Sequence, residues 1–463
     1  MVRVWKRTFH RLFERLLTHP RALLARVHHA DSNGLGQPPA IRVLELHSPQ
    51  IITTLSMSIS KYSLIFIILL AQGIRAESSL VLTLDSLGNR IHRQNPDLAA
   101  ARVRIQEAWG RVRQAGRLAN PELQMSVEHN SEFNEGRVEL GFSQRFPVTD
   151  RLRKEKSLSL TNVTIAETEV LEFERQLVAQ ARTALFEVLA IRERRSLLKD
   201  QVKLNDELVE TIRQAAAKGE GSLLEAGQAG IESARVAAEL RQLDAREAGL
   251  VGSLKPLLGM APNQGLVVTG KLPAMTIPPE EKGTPARPDL QTAKLEIGAA
   301  AQSVELEKSR RFGDVEAGVF TAAERTEDVP IGRKSEGLLG FQLKIPLPWW
   351  NKNEGGIEEA EALHQRRQLE HRALARNINL EVEAARAEMR EWAALAGDIT
   401  NRLLPLADKQ AADTESAWRN GQAEFQAVLR ARDQRLELAA TRIDALREFH
   451  LASARHQAAL GKP

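Results

Sequence analysis

The chain has no cysteine, so disulfide scaffolds, cysteine-zinc sites and thiol nucleophiles are all excluded. It has little aromatic character, 4% of residues, and its single tyrosine, Tyr62, lies near the N-terminus. No apolar run is long enough to cross a bilayer as a helix. The best is Tyr62 to Ala71, ten residues, where about 20 are needed. Charge of one sign is also missing from most of the chain. Residues 1–76 hold 10 Lys/Arg against 3 Asp/Glu, leaving 54 basic and 57 acidic residues for the remainder. The basic pI therefore belongs to the leader, and nucleic acid is not an expected partner.

The Tyr62–Ala71 run follows Lys61 and precedes Ile74-Arg75-Ala76, with Met57 just upstream. This is the pattern of a secretory signal over 57–76, cleaved near Ala76, the alternative being a signal-anchor helix after a short cytoplasmic tail. Residues 1–56 then read as an upstream extension from a start codon placed too early. With no cysteine after the cleavage site, lipid attachment of the usual bacterial type is ruled out.

The remainder repeats itself. Asn95-Pro96-Asp97-Leu98 recurs as Arg287-Pro288-Asp289-Leu290, and Ile105, Ala108 and Val112 recur as Ile297, Ala300 and Val304. Gly141-Phe142 with Pro147 recurs as Gly340-Phe341 with Pro346, and Val178, Ala181 and Arg182 recur as Val382, Ala385 and Arg386. The expected domains are a first repeat over 77–261, a Pro/Gly-rich linker over 262–286 and a second repeat over 287–460.

Each repeat reads as helix, two short strands, a very long helix, a turn and a helix. Val163, Val170, Leu177, Ala184, Ile191 and Leu198 stand seven apart, and Ile378, Val382, Ala385, Met389, Trp392, Ala396, Ile399 and Leu403 alternate steps of four and three. Both are coiled-coil seams. A helix from Leu152 to Lys218 would be about 100 Å long at ~1.5 Å per residue, and Pro405 should kink its counterpart.

Four segments alternate apolar and polar residues: Leu123, Met125 and Val127; Val138, Leu140 and Phe142; Val315, Ala317 and Val319; Leu339, Phe341, Leu343 and Ile345. Alternation fits a soluble two-faced sheet as well as membrane strands. Four strands cannot close a barrel, for which about eight is the lower limit. Membrane strands here would demand several copies, with the long helices continuing the wall.

These features resemble the TolC family of outer-membrane efflux channels over most of Leu82–Leu460. The motifs that carry the resemblance are Asn95–Leu98, Gly141-Phe142 with Pro147, and Leu257-Leu258-Gly259. To these is added Ile345-Pro346-Leu347-Pro348-Trp349-Trp350-Asn351-Lys352-Asn353-Glu354-Gly355, which is similar to the heavy-metal (CzcC-like) branch. The resemblance implies a mainly helical fold with a small β part. Three chains would join in one twelve-stranded outer-membrane barrel, continued by a helical periplasmic tunnel. It implies a homotrimer in contact with outer-membrane lipid, a periplasmic adaptor and an inner-membrane RND pump as partners, and passive conduction of substrate. No catalytic residue or cofactor is expected. Rival readings are a periplasmic adaptor and a structural coiled-coil protein of the envelope; drugs or other small molecules are the alternative substrates.

The helix reversals are the expected periplasmic tips. The first is Lys218-Gly219-Glu220-Gly221-Ser222-Leu223-Leu224 and the second Arg419-Asn420-Gly421-Gln422-Ala423-Glu424-Phe425. Gly219, Ser222, Leu223, Leu224, Asn420, Gly421 and Phe425 are candidates for adaptor docking, or else simply close each hairpin on itself. Glu225, Glu424 and Arg430 are candidates for the tunnel aperture. There Arg430 either forms a cationic ring or faces solvent or a neighbouring helix. His364 and His371, seven apart, are too far separated to share one ion, and no histidine pair has the spacing of helical metal ligands. The methionines Met125, Met260, Met275 and Met389 are scattered.

Overall fold

A computed structural model describes residues 79–462 apart from 132, 134, 220, 221, 281–284 and 329. The proposed upstream extension and signal sequence lie outside the described residues.

In chain order the elements are β1 (Leu80–Leu82), α1 (Leu84–Gln94), α2 (Pro96–Gln114), β2 (Glu122–His129) and β3 (Gly136–Phe146). Next come α3 (Arg151–Ala217), α4 (Leu223–Leu257) and β4 (Leu266–Val268). The second half holds α5 (Pro288–Ser309), β5 (Val315–Asp328), β6 (Gly332–Lys344), α6 (Glu354–Asp398), a π-turn (Ile399–Leu403), α7 (Leu404–Arg419) and α8 (Phe425–Ala459). Helix, hairpin, long helix, turn, helix thus occurs twice, and α3 begins and ends within a residue of the expected bounds.

The heptad stripe of α3 becomes core. Val163, Val170, Leu177 and Leu198 are buried, as are Ile378, Ala385, Met389, Ala396 and Ile399 on the counterpart. The largest cluster joins α1, α2, α3, α4 and α8 around Ile91, Leu98, Ala181, Leu185, Leu254 and Leu258. At the position of the expected kink the helix holds a π-turn that ends at Leu403, two residues before Pro405. Proline has no N–H to bond the carbonyl four residues back, and the wider turn absorbs the mismatch.

The two family-like motifs of the first repeat meet in space. Asn95 caps α2 by accepting from the Leu98 N–H at 2.7 Å, and its amide donates to the Leu257 carbonyl at 2.9 Å. Leu258 caps α4 in a Schellman turn, with Gly259 bonded to Pro256 and Met260 to Lys255. Gly259 has φ +65, and a Cβ there would lie 1.9 Å from the Gln94 carbonyl oxygen. Only glycine permits that approach. The second repeat builds the same joint from Leu460-Gly461 against Ala286-Arg287. Arg287 takes the place of Asn95, bonding Asp289 at 2.6 Å and Glu381 at 2.7 Å. Burial opposes the charge on Arg287, yet the two carboxylates more than offset it and raise the guanidinium's pKa.

The stretch expected as a linker contains β4, which pairs in parallel with β1, Leu80 opposite Leu266 and Leu82 opposite Val268. The stretch is held further by His450, whose Nε2 donates to the Pro273 carbonyl at 2.9 Å. His450 packs against Phe186 and Phe449, and burial pushes its pKa down, so the neutral ring is favoured.

Candidate functional site

The hairpins join in one antiparallel sheet of order β2-β3-β5-β6. Because directly paired residues share a face, its register sorts every side chain. One transverse row is Leu123–Phe142–Val319–Phe341 and the next is Met125–Leu140–Thr321–Leu339. Val127, Val138 and Ala323 follow outward; Val315 lies opposite Phe146, and Ala317 opposite Leu343, at the end nearer the helices. All ten residues expected on membrane strands therefore lie on a single face. That face is bare: Leu123 and Met125 are 71% exposed and Phe341 84%. From Phe146 to Val138 the apolar band spans nine residues, about 27 Å along the strand at ~3.4 Å per residue step.

The opposite face is polar. It carries Glu122, Gln124, Ser126 and Glu128 on β2, with Arg137, Glu139 and Arg145 on β3. Arg145 pairs with Glu122 at 2.9 Å and Glu316 at 3.4 Å, and Arg137 with Glu139 at 2.6 Å. Phe320, Ala322 and Leu338 are the apolar residues on it, and Phe320 has a structural task. Its ring covers Gly340, where a Cβ would come within 2.3 Å of it, and Gly141 stands opposite Phe320 on β3. An aromatic ring over a strand glycine pins register. The recurrence of Gly-Phe in both repeats thus puts glycine on the polar face and phenylalanine on the apolar face.

Strands β5 and β6 are longer than expected, 14 and 13 residues. The alternation stops at Ala323 because the apolar face there turns polar, with Arg325 opposite Ser335 and Arg333 ion-paired to Glu327 at 3.5 Å. At the helix end of the sheet Trp349 and Trp350 are exposed and meet edge to face at 6.0 Å. Strands β2 and β6 each have a partner on one side only, so the sheet has two open edges among the described residues.

The tips are as glycine chemistry dictates. Gly219 and Gly421 have φ +79 and +75. Ser222 caps α4 by accepting from the Leu224 N–H, and Asn420 ends α7 in a Schellman turn, with Gly421 bonded to Trp418 and Gln422 to Ala417. Leu223 and Leu224 are 74% and 71% exposed. Phe425 differs from its expected docking role. It is 3% exposed, packed with Trp418, Leu208, Ile212 and Val428. An apolar residue opening α8 inside a four-helix contact closes the hairpin core, so it offers no surface. Of the aperture candidates, Glu424 and Arg430 are exposed and Glu225 half-buried. Arg430 donates to the Gln426 carbonyl at 3.3 Å, on the neighbouring turn of its own helix.

Sequence reasoning missed the second Schellman joint, although Leu460-Gly461 echoes Leu258-Gly259 in the sequence. It also missed β4, whose Leu-Val-Val run is too short to alternate.

Residues 87–259 match the outer membrane efflux protein family. Solved structures extend the likeness across both repeats. The outer membrane protein VceC from Vibrio cholerae superposes with a TM-score of 0.66 at 19% identity, over 82% of this chain and 96% of that one. CusC gives 0.69 at 16% identity, covering 82% and 92%, and the outer-membrane channel OprN 0.69 at 18%, covering 82% and 90%. The fold is that of outer-membrane channels. No curated protein is similar in sequence to this chain.

Proposed function

We propose that three copies of this chain form the outer-membrane channel of a tripartite efflux system, passing substrate from the periplasm to the outside. The observation that carries the reading is the sheet: a largely exposed apolar face, a charged opposite face and, among the described residues, two open edges in one chain. Leaving that face in water is costly at ~25 cal/mol per Å² of apolar surface, and lipid removes the cost. Closing β6 of one copy on β2 of the next satisfies both edges, and twelve strands suffice for a wet lumen. The charged face then lines the exit and the helices continue the tunnel below it.

The chain contributes a path and no chemistry; an inner-membrane pump of the RND type supplies the work. Leu223 and Leu224, exposed beyond the first reversal, are the residues of the tip best suited to an adaptor. Secretion through the 57–76 signal delivers the protein to the outer membrane. Heavy-metal cations are the proposed cargo, on the strength of the Ile345–Gly355 stretch. Deleting the gene in its native host and testing tolerance decides this. Sensitivity to divalent heavy metals, restored by the intact gene, supports metal efflux; sensitivity confined to organic drugs contradicts it.

A further inference from the structure

The tandem repeat carries one cation twice, and only one half of the chain neutralises it. Arg182 on α3 recurs as Arg386 on α6, an offset of 204. Gly88 on α1 recurs as Glu280, at the offset of 192 fixed by Pro96 and Pro288. In the second repeat these two positions meet, the Glu280 carboxylate lying 3.5 Å from the Arg386 guanidinium. In the first repeat a glycine stands where the carboxylate would be. Among the described residues Arg182 has no acidic partner. Its Nη1 donates to the Gln457 side chain, and its Nε is buried without a partner. Burial, with no carboxylate to oppose it, lowers the pKa of Arg182. A buried guanidinium is ordinarily paired.

The space that a side chain at position 88 would take is open. Gly88 and Arg182 line one cavity of about 1040 Å³, where α1, α3, α8 and the chain around Pro273 come together. A Cβ on Gly88 would meet nothing within 4 Å. Sites for drug-sized molecules usually measure about 300–1,000 Å³, so the room is sufficient. The lining includes Leu84, Leu171, Pro273 and Ala274, with the buried rings of Phe186 and Phe449. The other charges that line it are answered or exposed. Arg175 pairs with Glu172 at 2.5 Å, and Glu174 with His92 at 2.7 Å and Arg102 at 3.6 Å. Asp85 is exposed in the first turn of α1. Arg182 is the buried charge left over.

We infer that this cavity binds a small organic acid, with its carboxylate on Arg182, as Glu280 sits on Arg386, and its apolar body against Leu84 and Leu171. A carboxylate is the group the second repeat itself supplies at this position. The apolar lining selects an acid that carries a hydrocarbon or aromatic body. Gly461, from the joint that closes the second repeat, also lines the cavity, so an occupant braces that joint. The site lies wholly within one chain and does not depend on the number of copies.

The probe is octanoate, with octanol as the uncharged control and acetate as the control without an apolar body. Equilibrium dialysis of the intact purified protein, with the same detergent on both sides, should show saturable binding of one octanoate per chain. Octanol and acetate should each bind about tenfold more weakly or worse. Arg182→Gln removes the charge and should weaken octanoate binding by about tenfold or more. Gly88→Glu supplies the missing carboxylate from the chain itself. It should abolish saturable octanoate binding and melt at a higher temperature than Gly88→Gln, which fills the same space without the charge. Octanoate should raise the melting temperature of the wild type and of neither Arg182→Gln nor Gly88→Glu. No saturable octanoate binding by the wild type overturns the site. Binding that survives both Arg182→Gln and Gly88→Glu overturns it equally.

Discussion

Phe341 and Gln342 are neighbours in β6 that point to opposite faces of the sheet, so arginine at each position separates lipid from lumen. Phe341 sits in the row Leu123–Phe142–Val319–Phe341, inside the apolar band, and is 84% exposed within one chain. Arginine on a lipid face near the bilayer midplane costs about 2–4 kcal/mol. With three copies in one barrel, Phe341→Arg should destabilise the assembly by roughly 6–12 kcal/mol, scaling that cost per site. Gln342 shares its row with Gly318, Ser143 and Glu122 on the charged face, where Gln342→Arg costs little. The assay is refolding into phospholipid vesicles, read by the heat-sensitive mobility of the assembled protein on gels. Phe341→Arg should fail to assemble while Gln342→Arg assembles as wild type. Equal behaviour of the two variants would refute the assignment of faces, and inverted behaviour would place the lumen on the apolar side.

Three further outcomes follow from the helical part. Gly259→Ala combines positive φ with a contact at 1.9 Å to the Gln94 carbonyl, whereas Gly421 has φ +75 and nothing within 4 Å. Thermal unfolding should show Gly421→Ala costing about 1 kcal/mol and Gly259→Ala clearly more. Phe425→Ala should cost about 3–5 kcal/mol as a core truncation, while Leu223→Ala with Leu224→Ala leaves the melting temperature unchanged and abolishes adaptor capture; equal stability losses would contradict the packing. For His450 the folded pKa is depressed by burial, so its stabilising contribution is complete above about pH 6.5, the ordinary histidine value. It is lost as pH falls through the lower folded value. Wild type should therefore melt at falling temperature below that pH, with a shallower slope in His450→Phe.

Sequence patterns revealed what has a period. The heptads of α3 gave that helix nearly to the residue, and strict alternation placed ten residues on one sheet face before any register was known. Features decided by a neighbour were hidden. Phe425 follows a turn just as Leu223 does, yet Trp418 and Leu208 bury it, and nothing local distinguishes the two. The ends of β5 and β6 were missed because Arg325 and Glu327 break the alternation where the strand leaves its apolar band. Phe320 reads as an error in a polar face until Gly340 is found beneath it. The aperture is the least legible part, since any common lumen for Glu225, Glu424 and Arg430 belongs to the proposed assembly and not to one chain.

The central claim is a channel made of several chains in the outer membrane. Its most direct test is fractionation of the native cells, followed by the mass of the detergent-extracted protein. Three copies in the outer-membrane fraction are predicted. A monomer in the soluble fraction, or a protein confined to the inner membrane, would contradict the account.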